Sequence, residues 1–205
     1  MEIKTRKALL IVAGLSVFML SACNGTTTNL DSGVETCDID EMEGYTKYSD
    51  FFEDFQFQYP EDWTMEEDTG DIYLTVMSPL LDDDDFLMEG MNIIIDDLPG
   101  VEADDDLAEA VDLAIEGLED EMDEFVLESR EETKLSGVNA ERIEYTWEMD
   151  GIEVFMIQVI AVSPELEKQY VLTFSNFEDG YAFDEWNDIF EEIIDSFCFE
   201  EGILD

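Results

Sequence analysis

The residues of this 205-residue chain best placed for chemistry are its three cysteines and a run of aspartates. Cys23 ends the stretch Leu20-Ser21-Ala22-Cys23, a setting in which a thiol is expected to take lipid. Cys37 and Cys198 remain as an even pair, expected to bridge in an oxidising compartment. Such a bridge would close a loop of roughly 160 residues, worth about 4–5 kcal/mol in the chain-entropy account. Asp82, Asp83, Asp84 and Asp85 present four successive carboxylates, oxygen donors of the kind calcium takes six to eight at a time. They lack the EF-hand pattern, so a solvated charged loop is the plainer reading and a calcium site the alternative. The sequence contains no histidine. That removes Ser-His-Asp and Cys-His catalysis, histidine-ligated zinc and HExxH proteolysis together. No glycine-rich phosphate loop and no GxSxG elbow is present either. Carboxylate pairs can work on sugars, but among so many acids no pair stands out, and no enzyme is expected.

The setting of Cys23 carries the firmest reading. Lys4, Arg6 and Lys7 precede an apolar run from Ala8 to Leu20, interrupted only by Gly14 and Ser16. The run is too short for a permanent bilayer span and has the length of a signal peptide. Small residues just before a cysteine, with leucine three before it, resemble the lipobox cut by lipoprotein signal peptidase. The resemblance implies a signal peptide over residues 1–22 and a diacylglyceryl group on Cys23, with acyl chains of the palmitate class. Each methylene buried in the membrane contributes about 0.8 kcal/mol. The expected location is the extracytoplasmic face of the cell membrane, with the membrane itself a partner through the lipid.

Composition sets the partners further. The chain holds 56 acidic and 8 basic residues, a net charge of −48. Loss of residues 1–22 removes one acid and three bases and takes the mature chain to about −50. Nucleic acid and anionic head groups repel such a surface. Self-repulsion on this scale calls for screening, and the acids are spread over nearly every segment, as in halophilic adaptation.

The elements that must carry these groups follow from periodicity. Residues 23–49 read as a polar tether, residues 50–199 as one domain and residues 200–205 as an acidic tail. Phe55-Gln56-Phe57-Gln58-Tyr59 alternates as a strand stopped by Pro60, with a partner expected from Trp63 to Glu66. Ile72–Met77 and Met91–Ile95 are further strands. Leu107, Ala110, Val111, Ala114, Ile115, Leu118 and Met122 recur on one helical face, with Asp104, Asp105 and Asp106 where a helix N-terminus favours negative charge. A strand over Phe125–Leu135 turns at Ser136-Gly137-Val138-Asn139. Ile143, Tyr145, Trp147 and Met149 then share a strand face opposite Arg142 and Glu144. Asp150-Gly151 signals a hairpin. Ile152–Val162 is apolar enough for a central strand covered on both faces. After Tyr170–Phe174, a second helix runs through Phe183, Trp186, Ile189, Phe190, Ile193, Ile194 and Phe197. The order gives an α+β domain, with a three-stranded meander between its helices. The aromatic residues Phe51, Phe52, Phe55, Phe57, Tyr59, Trp147 and Trp186 read as packing rather than as a ligand platform.

Phe57-Gln58-Tyr59-Pro60 with Trp63, Gly137 to Ala140, Tyr170-Val171-Leu172-Thr173-Phe174 and the ending Phe190–Phe197 come in the order found in the PsbP-like family. The chain resembles that family, which includes DcrB-like lipoproteins, over residues 50–199. The resemblance implies an antiparallel β-sheet sandwiched by helices, an α/β/α sandwich. It also implies a non-catalytic binding or assembly role with an envelope protein as partner, and no catalytic set to carry over. The alternative is a lipoprotein that binds a cation or small ligand through its acidic loops.

Overall fold

The structure, a computed structural model, describes residues 39–50, 53, 55–67, 70, 72–80, 89–98, 103–149, 151–163, 166–177 and 183–199. Among these residues, ten strands and two helices follow one another: β1 (Tyr45–Asp50), β2 (Phe55–Pro60), β3 (Thr64–Glu67), β4 (Leu74–Met77), β5 (Gly90–Asp97), α1 (Ala103–Glu121), β6 (Val126–Leu135), β7 (Val138–Met149), β8 (Ile152–Ser163), β9 (Lys168–Phe177), α2 (Phe183–Ser196) and β10 (Cys198–Phe199). Seven of the strands form an antiparallel sheet in the order β3-β4-β5-β9-β8-β7-β6, and β1-β2-β10 form a small second sheet.

The large sheet is covered on both faces. On one, Leu107, Val111 and Leu118 of α1 pack on Ile143, Tyr145, Val154, Met156 and Ile160. On the other, Trp186, Phe190 and Ile193 of α2 join the small sheet over Leu74, Ile93, Val159, Leu172 and Phe174. The strand face expected for Ile143, Tyr145, Trp147 and Met149 is the one under α1. β8 lies between β7 and β9 in the middle of the sheet, as its apolar run predicts.

Local sequence fixes the turns. Ser136 and Gly137 both adopt positive φ, 51° and 82°, so Leu135 pairs directly with Val138 across a tight two-residue turn. Gly90 opens β5 where β4 passes closely, since a Cβ there would meet the Val76 carbonyl oxygen at 2.6 Å.

Three sequence expectations are corrected. The stretch to Ser49, read as tether, ends in a strand: β1 pairs with β2 from Tyr45↔Pro60 to Asp50↔Phe55. Ahead of it, the buried Gln58 amide accepts from the Met42 N–H and donates to the Asp40 carbonyl, both at 2.9 Å. A polar, edge-like strand with Tyr48 as its one buried residue leaves little hydrophobic signal. Next, the Trp63–Glu66 segment does not pair with Phe55–Tyr59. It lies in β3, against β4, while β2 is flanked by β1 and β10. Both flanks of β2 are thus filled, and all six of its residues are buried. Finally, the meander has four strands rather than three, β6 through β9.

Candidate functional site

In so acidic a chain the cations report where charge matters. Three of them are each gripped by two carboxylates, and each grip joins different layers. Arg130 of β6 holds Asp112 of α1 at 2.6 Å and, through Nε and Nη2, the carboxylate of Glu141 on β7. Arg142 of β7 holds Glu144 at 2.8 Å and reaches Glu191 of α2. Lys168 of β9 holds Glu53, beside β2, and lies 3.5 Å from Asp97 of β5. The hydrogen bonds that Arg130 donates to Glu141 and Asp112 hold its guanidinium above its ordinary pKa. Burial pushes the Lys168 ammonium down, but the hydrogen bonds to and charges of Glu53 and Asp97 together outweigh it and the net shift is upward.

A second polar cluster joins the small sheet to the large one. The Asp50 carboxylate accepts from the Tyr48 hydroxyl at 2.9 Å, from the Tyr73 hydroxyl, and from the Glu53 N–H at 3.0 Å. Tyr170 donates to the Glu53 carbonyl at 3.1 Å. Burial first, and then the Asp50 carboxylate, raise both Tyr48 and Tyr73 well above the ordinary phenol value. A raised folded-state pKa means that the native state holds these protons more tightly than the unfolded chain does. Their stabilisation is complete below about pH 10, the unfolded value, and is lost as pH rises beyond it. Titration at 295 nm, taken as a difference between the wild type and Tyr48→Phe or Tyr73→Phe, is expected to place both phenolates late, coincident with loss of the circular-dichroism signal. A phenolate near pH 10 in the still-folded protein that either variant removes would contradict this.

The family profile described as "PsbP-like protein" matches residues 8–199, nearly the whole chain. The chain belongs to the PsbP-like family. Solved structures share the fold at low identity. Cyanobacterial PsbP (CyanoP) from Synechocystis is 18% identical with a TM-score of 0.56, over 81% of this chain and 98% of that one. LpqN of Mycobacterium tuberculosis, described as involved in cell envelope biogenesis, is 16% identical with a TM-score of 0.56, over 72% and 83%. The Saccharomyces cerevisiae Ran-binding protein Mog1p is 8% identical with a TM-score of 0.53, over 76% and 95%. No curated protein matches the sequence.

Within this PsbP-like domain the aromatic residues serve packing. Phe55, Phe57 and Tyr59 are buried; Phe55 stacks on Phe197 at 5.3 Å, and Trp186 meets Trp63 edge-on at 5.6 Å. Trp147 is partly buried beside the α1-side core. Cys198 is disulfide-bonded, in β10 opposite Gln56. Cys23, Cys37, Phe51, Phe52 and the aspartates Asp82, Asp83, Asp84 and Asp85 lie outside the described residues. Among the described residues, no group of three or more acidic or cysteine side chains is arranged to hold a metal ion. No helix among them is long and apolar enough to cross a membrane. The cation grips and the Asp50 cluster escaped sequence reading. Among 56 acids, nothing in the order of residues marks the two that will face a given arginine.

Proposed function

We propose that this PsbP-like protein is a membrane-anchored extracytoplasmic lipoprotein whose domain binds or helps assemble another envelope component and carries out no reaction of its own. The observation that carries the reading is the extent of the family match. It begins at residue 8, so the stretch from Ala8 to Cys23, which resembles an export segment ending in a lipobox, lies within the matched residues together with the domain, and this supports the reading. The kinship in fold with LpqN, described as an envelope-biogenesis protein, supports an envelope role. The polar clusters point the same way: each ties one layer of the domain to another, and their charged groups are occupied in doing so.

Acylation of Cys23 tests the proposal. In cells fed an alkyne-bearing palmitate analogue, the protein is expected to take up label, begin at Cys23, and leave the membrane only with detergent. Cys23→Ser is expected to abolish the label and leave an uncleaved precursor retaining residues 1–22. A mature chain that begins elsewhere, or that salt washing alone releases intact, would overturn the reading.

A further inference from the structure

The two edges of the large sheet are not alike. β3, at one edge, has four residues, and such short edges are a common protection against unwanted pairing. β6, at the other, has ten, of which only Leu135 is buried. Among the described residues its backbone pairs with β7 alone, on one side. The tight turn at Ser136-Gly137 makes Leu135–Val138 a hydrogen-bonded pair, so the alternate pairs, Lys134–Asn139 and Glu132–Glu141, are not. At those positions β6 turns its N–H and C=O groups outward. A shift of register between Leu127 and Ser129 sets off the first two residues, Val126 and Leu127, which are 50% and 38% exposed. Phe125, Met122 and Trp147, all partly buried, lie at the same end of the sheet. A row of free backbone groups therefore adjoins an apolar lip.

We infer that the β6 edge is a docking site for an extended, cationic segment of another protein, which adds to the sheet as an eighth strand. Main-chain hydrogen bonds to the outward groups of β6 give affinity, and the lip at Val126 and Leu127 takes an apolar side chain. Charge selects the occupant. Glu128, Glu131 and Glu132 are exposed on β6 against two cations, Arg130, which is already held by Asp112 and Glu141, and Lys134, so the balance along the strand stays acidic. A second copy of this chain would bring a further −48 to the same place, whereas a lysine-rich strand meets an attractive field. The inference supplies a partner chemistry for the binding role proposed above. It does not depend on the lipid anchor, so either can fail alone.

The test is amide hydrogen exchange on the full chain, with a synthetic peptide of alternating lysine and valine, about eight residues long, as probe. A proline-interrupted peptide of equal charge is the control. Exchange is expected to slow over residues 126–135 with the first peptide and to stay unchanged with the second. Glu132→Pro removes one outward N–H while sparing the ladder to β7, and is expected to abolish the slowing. Val126→Ser, which leaves the backbone intact and adds no charge, is expected to weaken binding about tenfold, or about 1.4 kcal/mol. Equal slowing by both peptides, or slowing that maps elsewhere, overturns the inference. So does self-association of the chain that Glu132→Pro removes, since the occupant would then be a second copy.

Discussion

Phe55→Ala is expected to lower the folding stability of the domain by about 3–5 kcal/mol, the range for emptying a fully buried aromatic site. Phe55 is wholly buried and lies among five aromatic rings. It stacks on Phe57 and Phe197, lies 5.9 Å from Tyr48, and meets Tyr73 and Tyr170 edge-on. Those neighbours come from β1, β2, β9, the residue before β4 and the residue after α2, so they cannot all close in on the vacated space together. Since a domain is held by about 5–15 kcal/mol in total, the loss is a large share. Denaturant unfolding is the measurement. The midpoint is expected to fall sharply with its slope unchanged, whereas Val126→Ala on the exposed lip is expected to shift it by less than about 0.5 kcal/mol. Equal effects from the two would contradict the packing described here.

Reduction of the disulfide at Cys198 is expected to have an effect of similar size. Cys198 is disulfide-bonded, and lipid on Cys23 would leave Cys37 as its partner. A bridge from Cys37 closes a loop of roughly 160 residues in the unfolded chain and so stabilises the native state by about 4–5 kcal/mol. It would also pin the chain ahead of β1 to the end of α2, near the place where Gln58 already holds Asp40 and Met42. Cys37→Ser, Cys198→Ser and the double variant are expected to lose the same stability, because each removes the same bond. A non-reduced digest is expected to yield one peptide pair joining the two cysteines. A Cys37→Ser midpoint equal to the wild-type value would exclude this partner.

Much of the domain was legible in the order of its residues, for a physical reason. A strand turns successive side chains to opposite faces, and a helix returns to one face every three or four residues. Whatever is buried on one side is therefore written into nearby sequence. This is why β7 and β8, both helices and the turns at Gly137 and Gly151 lie where their periods and glycines put them. The family marks were legible on the same ground, since most of them are core positions.

What tertiary structure alone decided is who meets whom across distance. Gln56 and Gln58 alternate with aromatic residues along β2. Yet both are buried, because α2 ends against that strand: Ser196 Oγ accepts from the Gln58 N–H at 2.8 Å, and β10 pairs beside Gln56. β1 was hidden because one buried tyrosine in six residues makes no pattern. The choices made by Arg130, Arg142 and Lys168 were equally hidden, since a charged side chain takes whichever acid the fold brings within reach. The exposed edge of β6 belongs with these. Strand character is local to a segment, but a sheet's last strand is set only by where pairing stops.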